Sequence, residues 1–288
     1  MKKFIRNILW PTDFSAEARE ALSYAGLFAG KFSAEITALH VAPDFSPALY
    51  DGSLLQNEII LRTDLLKKKA RARLISAAEK KGVAFRKIIV TEGSPAKKIV
   101  ETAEKERADL IVMGRKGQSM LEKILIGSVA NHVLRHSPVP MLLTKKGKKR
   151  AAIKKILVPT DFTKEEEVER DAAWNLARAF GASLTFLYVL ELYGHEFRMV
   201  DRMFEAVLEK FKSRAEKIGR GVEVKKDVTR AINAPLGIDD YSRRMNFDLI
   251  VMATCAHGLG RFFLGSTTEK VLSYSDLPVY VLPPKSCA

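Results

Sequence analysis

The sequence predicts two doubly wound α/β domains in tandem, each a five-stranded, mostly parallel sheet flanked by helices. Three observations predict it. The chain reads twice, short apolar runs alternate with helical patterns, and 288 residues suit two domains of roughly 150 each.

The repeat fixes the organisation. Ile8-Leu9-Trp10-Pro11-Thr12-Asp13-Phe14-Ser15 returns as Ile156-Leu157-Val158-Pro159-Thr160-Asp161-Phe162-Thr163, and Ala38-Leu39-His40-Val41 as Phe186-Leu187-Tyr188-Val189, both at an offset of 148. Ala108-Asp109-Leu110-Ile111-Val112-Met113 returns as Phe247-Asp248-Leu249-Ile250-Val251-Met252 at an offset of 139, and Gly127-Ser128 as Gly265-Ser266. The falling offset makes the second copy shorter between its second and fourth strands. The domains are expected at 1–146 and 155–288, joined by a basic linker at 147–154.

In the first copy, strands are expected near 4–10, 35–41, 85–91, 109–113 and 139–144, with helices at 15–31, 55–82, 95–107 and 128–136. Ala18, Ala21, Leu22, Ala25 and Phe28 mark one face of the first helix at helical spacing, as Val168, Ala172, Leu176 and Phe180 do in the second copy. Thr163 with Glu166, and Ser266 with Glu269, have the spacing of capping boxes. Pro95 after Ser94 suits a helix's first turn.

Composition narrows the class. Hydrophobic residues at 47% and charged residues at 28% describe a globular chain, and no apolar run nears the roughly 20 residues of a membrane span. Arg6, Pro11 and Asp13 break the apolar stretch at the start and no small-residue cleavage site follows, so a cytoplasmic protein is expected. Cys255 and Cys287 make no disulfide framework and lack metal-ligand spacing. Of the net charge of +14, residues 1–144 contribute +8 (23 Lys and Arg against 15 Asp and Glu). Residues 145–155 contribute +7, and residues 156–288 contribute −1 (18 against 19). Such a block can hold a polyanion, including nucleic acid. A solvated linker needs no partner to be basic, however, and no base-reading motif accompanies the charge.

The chemistry-bearing segment is Met113-Gly114-Arg115-Lys116-Gly117, then nine residues, then Gly127-Ser128 opening a helix. A strand running through a glycine-rich turn into a helix N-terminus suits phosphate. Glycines permit positive φ and close backbone approach, while free N–H groups and the helix dipole face the anion. Ser128 can add a hydroxyl donor, and Arg115 and Lys116 place positive charge beside the turn. In an open parallel sheet, ligands settle at the carboxyl ends of the strands, where Asp13, Val41 and Gly114 are expected. Asp13 can alternatively be a turn or helix-cap residue, although Ser15 lies nearer the helix start.

Gly-x2-Gly-x9-Gly-Ser together with Pro11-Thr12-Asp13 resembles the universal stress protein family in its tandem form, over nearly the whole chain. The resemblance implies a Rossmann-like, adenine nucleotide alpha hydrolase-like fold and a site for ATP, with Mg2+ carried on the nucleotide. It implies that Gly114, Gly117, Gly127 and Ser128 hold phosphates and ribose, that Asp13 meets the nucleoside, and that Val41 contacts adenine through its backbone. Pro11, Thr12, Arg115 and Val129 flank these. It further implies an intramolecular pseudo-dimer through the last strands, Val139–Thr144 and Val279–Leu282, with further pairing of chains open.

The second copy departs from the pattern. Ala253 and Ala256 replace the two leading glycines, and the run to Gly265 is one residue shorter. A methyl obstructs phosphate approach, and positive φ costs alanine roughly 1 kcal/mol or more. Asp161, Val189, Gly265 and Ser266 remain as a second, weaker site, with Gly258 and Gly260 able to rebuild a shifted turn and His257 in the same loop. No Walker-type loop is present, and the acidic groups Asp239-Asp240 and Glu165-Glu166-Glu167 are expected on solvated faces. The sequence therefore points to an ATP-binding stress-response sensor or regulator. A nucleic-acid-associated or partner-binding regulator and a slow ATPase are the alternatives.

Overall fold

The computed structural model describes residues 4–42, 53–117, 126–147, 152–161, 166–191, 205, 208–209, 221–254 and 265–283. The chain separates into two compact units, Met1–Thr144 and Lys145–Ala288.

The first unit runs β1 (Asn7–Pro11), α1 (Ala16–Phe32), β2 (Glu35–Ala42), α2 (Ser53–Lys81), β3 (Phe85–Glu92), α3 (Pro95–Lys105), β4 (Leu110–Gly114), α4 (Ser128–His136) and β5 (Met141–Thr144). Its strands lie in the order β3-β2-β1-β4-β5, and each neighbouring pair is parallel. Parallel pairing requires a crossover between strands, which the helices supply. α1 packs with α2, and α3 with α4. The strand order reverses at β1, whose neighbours are β2 and β4, so a crevice opens beyond the carboxyl ends of these strands.

Strand β1 begins at Asn7 rather than near residue 4. The Asp109 carboxylate accepts the N–H groups of Arg6 and Asn7 at 2.8 and 2.9 Å, which holds the incoming chain to the loop before β4. Asp248 does the same for Lys154 and Lys155 in the second unit, so the repeated Asp-Leu-Ile-Val-Met marks where each first strand enters the sheet. Apolar packing covers both faces of β1: Ile8, Leu9 and Trp10 are at most 1% exposed. The Trp10 indole N–H donates to the Ala18 carbonyl at 2.9 Å, tying β1 to the first turn of α1.

Helix α1 starts where Ser15 accepts the Ala18 N–H and ends at Ser33, which adopts a left-handed φ of 50°. Its buried face is Ala18, Ala21, Leu22, Tyr24, Ala25 and Phe28. Pro95 occupies the first turn of α3, as its missing N–H favours.

The second unit runs β6 (Lys155–Pro159), α5 (Glu166–Phe180), β7 (Ser183–Glu191), β8 (Val224–Ala231), α6 (Ala234–Arg244), β9 (Leu249–Ala253), α7 (Ser266–Tyr274) and β10 (Val279–Leu282). Its strands lie in the order β10-β9-β6-β7-β8, again parallel, and this is the first unit's order in its own terms. Ala172 and Leu176 of α5 are buried as their spacing predicts. Thr163 lies outside the described residues. The capping box expected at Ser266 and Glu269 is not formed: Gly265 is the N-cap, no side chain caps the helix, and Ser266 is already inside α7.

Candidate functional site: the crevice at the strand reversal

After Pro11 the chain makes a tight turn built from its own polar side chains. The Thr12 N–H extends the sheet ladder to the Leu39 carbonyl at 2.9 Å. Thr12 Oγ1 accepts the Phe14 N–H, and Asp13 Oδ1 accepts the Ser15 N–H at 2.9 Å. Phe14 takes a left-handed φ of 66°. The buried Phe14 ring packs against the half-buried His40 (ring centroids 4.6 Å apart), and the Arg73 guanidinium lies 3.9 Å over it. Asp13 is therefore a turn residue through Oδ1, while Oδ2 points at the glycine loop: a Cβ built on Gly117 would lie 2.7 Å from it.

Gly114 and Gly117 serve close approach rather than unusual dihedrals. Gly114, Gly117 and Gly127 are absent from the positive-φ positions, and Gly127 has φ −69°. A Cβ on Gly114 would meet Glu17 Cβ at 2.8 Å and the α1 backbone at 3.0 Å, so this glycine lets α1 seat against the end of β4. The positive-φ reason expected for these residues is thus corrected. So is the cost assigned to Ala253, which likewise has no positive φ.

Three amides at the roots of the loop are already committed. The Arg115 N–H donates to Thr144 at 2.9 Å, the Gly127 N–H to the Arg115 carbonyl at 2.7 Å, and the Lys116 N–H to Glu17 Oε2 at 2.7 Å. The first turn of α4 offers donors that are not committed in this way. Gly127 caps that helix without a side-chain bond, and its carbonyl accepts from Asn131, which leaves the N–H groups of Ser128, Val129 and Ala130 ahead of the first helical bond. No acidic residue occupies this turn. Arg115 is 1% exposed, so its charge is buried at the root of the loop rather than displayed beside it.

These elements enclose a cavity of about 310 Å³. Pro11, Thr12, Asp13, Val41, Gly114, Arg115, Gly117, Gly127, Ser128 and Val129 all line it, so the structure brings the ten residues of the first expected site together. Val41 lies in β2 opposite Thr91 of β3. Alternate residues of a strand turn their peptide groups to the same neighbour. Since the Leu39 carbonyl faces β1, the peptide groups of Val41 face the same way, past the end of β1. The sequence did not single out Leu39, Ile99, Met113 or Ala130 for the walls, nor Pro95 as more than a helix-start residue. The apolar face of α3 was the available signal for Ile99.

The second unit repeats the framework with a different interior. Thr160 N–H meets Leu187, Thr254 N–H meets Leu282, and Gly265 N–H meets the Thr254 carbonyl, matching the anchors of the first unit. Asp161 and Ser266 are exposed, Gly265 is half-buried, and Val189 is 9% exposed. In α6, however, a Cβ on Gly237 would lie 2.7 Å from Val189 Cγ1 and 2.8 Å from Ala231 Cβ. The helix backbone rests on Val189, where Val41 and Ile99 flank open space in the first unit. The Ala253 N–H is taken by Glu169 Oε1 at 2.6 Å. Cys255, Ala256, His257, Gly258, Gly260 and Cys287 lie outside the described residues, as does Glu165.

Asp239 corrects another expectation. It is 2% exposed, not solvated, and pairs with Arg243, while its Oδ1 has no hydrogen-bond partner. Burial holds its carboxyl above the ordinary aspartate value of 3.8, against the opposing pull of Arg243. Nearby, the Tyr241 hydroxyl donates to Asp227 at 2.5 Å, and burial followed by this carboxylate raises its pKa. Asp240 is exposed as expected. Among the described residues, no three His, Cys, Asp or Glu side chains converge as metal ligands, and no helix is long and apolar enough to cross a membrane.

Two units of parallel sheet with the same strand order, the first holding a strand–loop–helix crevice at its reversal, define a tandem Rossmann-like protein. The chain belongs to the universal stress protein family, whose model it matches twice, over residues 5–145 and 152–283. It is 41% identical over 147 residues to universal stress protein MJ0531 of Methanocaldococcus jannaschii, covering 50% of this chain and 84% of that protein. It is 32% identical over 159 residues to universal stress protein MJ0577 of the same organism, covering 51% and 98%. Each of these relatives thus corresponds to about one unit. Over both units together, the crystal structure of a universal stress protein from Archaeoglobus fulgidus DSM 4304 is similar with a TM-score of 0.68 at 25% identity, covering 97% of each chain.

Proposed function

We propose that the first unit binds ATP in its crevice and that the chain acts as a nucleotide-responsive stress regulator. The observation that carries this reading is the meeting of one cavity with a helix N-terminus that no side chain caps. Asp13, Val41 and the loop glycines line the same space as the free first-turn amides of α4. A volume of about 310 Å³ lies at the lower end of small-molecule sites, roughly 300–1,000 Å³. The N–H groups of Ser128 and Val129, with the Ser128 hydroxyl, suit phosphate. The Asp13 carboxylate is an acceptor for ribose hydroxyls. Pro95, Ile99 and Leu39 provide apolar walls for a base whose edge meets the peptide groups of Val41. Mg2+ travels with the phosphates.

Regulation is favoured over turnover because the sequence has no Walker-type loop to set a lysine on the terminal phosphates. The output is then a change in conformation or partner binding, whose size is limited by the difference in ATP affinity between two states. Isothermal titration of Mg–ATP into the full chain, with mass spectrometry of any co-purifying nucleotide, tests the reading. Saturable binding supports it, and no heat at millimolar ATP with nothing co-purifying removes it.

A further inference from the structure

We infer that Glu17 is a positioning residue for the phosphate end of the crevice, a splint that holds the Gly114–Gly117 turn from behind. This rests on the first unit binding ATP there. The Glu17 carboxylate accepts the Lys116 N–H at 2.7 Å across 99 residues of sequence. Lys116 and Gly117 line the cavity, whereas Glu17 is not among its lining residues and meets the turn through the Lys116 N–H. It reinforces the loop without occupying a phosphate seat.

The splint is itself fixed. The missing side chain of Gly114 lets the Glu17 Cβ and backbone press against the end of β4, and the Thr144 hydroxyl reaches the Glu17 carbonyl at 3.4 Å. Ser15 caps the same helical turn and the Trp10 indole binds its Ala18 carbonyl. A carboxylate on such a base holds a main-chain amide in one orientation, and preorganised loops lose less freedom when they bind. The second unit has a parallel contact made from a different position. Glu169, which by the repeat offset corresponds to Ala21 and lies one helical turn beyond the Glu17 position, accepts the Ala253 N–H at 2.6 Å. A first-helix carboxylate therefore reaches the strand-to-loop backbone in both units.

The test measures ATP and adenosine affinity in the full chain for wild type, Glu17→Ala and Glu17→Gln, alongside the thermal midpoint of each. Glu17→Ala is expected to weaken ATP about tenfold while adenosine changes by less than about twofold, because only the phosphates meet the loop. Glu17→Gln keeps an amide oxygen to accept the Lys116 N–H and is expected to restore ATP affinity. An alanine variant that binds ATP like wild type overturns the inference, as does an equal loss for ATP and adenosine, which would mark general damage. A wild-type chain that binds neither ligand instead removes the nucleotide reading beneath it.

Discussion

Asp13 Oδ2 occupies the space where a side chain on residue 117 would begin, 2.7 Å from an ideal Cβ on Gly117. The other oxygen of the carboxylate is bonded to the Ser15 N–H, so the group cannot swing away without breaking the turn before α1. Aspartate and glycine thus form one unit across the mouth of the crevice.

Gly117→Ala is therefore expected to displace either Asp13 or the loop and to weaken ATP binding at least about tenfold, or roughly 1.4 kcal/mol. Gly117 is exposed and has no positive φ, so the unfolding free energy should stay within about 0.5 kcal/mol of wild type. Titration calorimetry and urea unfolding on the same preparation separate the two effects.

Gly114→Ala is expected to behave differently. Its methyl would meet Glu17 Cβ and α1 backbone atoms, which are not the movable end of a side chain. A loss of about 1–3 kcal/mol in urea unfolding is expected, the usual cost of overpacking. Wild-type stability in this variant would mean that α1 is free to shift.

How these glycines work is also where sequence reading stopped short. The spacing of Gly114, Gly117 and Gly127 places the loop correctly, but a glycine required by φ and one required by a neighbour look identical in sequence. The repeated Pro-Thr-Asp, the alternating apolar runs and the helical spacing of Ala18, Leu22 and Ala25 made the parallel fold and most walls of the crevice legible. Asp239 was not legible in this way. It sits beside Asp240 in a polar stretch, and its burial depends on the packing of α7 against α6, a tertiary contact without a local signature.

Asp239 gives a prediction with a definite pH dependence. Burial raises its folded-state pKa above the unfolded value, with Arg243 and Lys145 acting downward and Asp276 upward. The folded state thus binds the proton more tightly. The stability this contributes is fully present below the ordinary aspartate range and is lost as pH rises through the folded value. Asp239→Asn removes the charge but keeps the shape, so its urea midpoint should exceed wild type at pH 7.5, with the advantage shrinking toward pH 4. An equal or lower midpoint at pH 7.5 would mean that the Arg243 pair outweighs burial.

The contact between Gly237 and Val189 predicts stoichiometry. Among the described residues of the second unit, α6 rests on Val189, the counterpart of Val41, and the Ala253 amide is bound to Glu169. One ATP per chain is expected by titration calorimetry. Two equivalent sites would show that α6 lifts away at little cost.

The most direct measurement is a crystal structure of the full chain grown with Mg–ATP. The account predicts the base against the main chain of Val41, a ribose hydroxyl on Asp13, and phosphates on the amides of Ser128 and Val129, in the first unit alone. An ordered structure at millimolar ATP with that cavity empty, or with the nucleotide bound elsewhere, would contradict it.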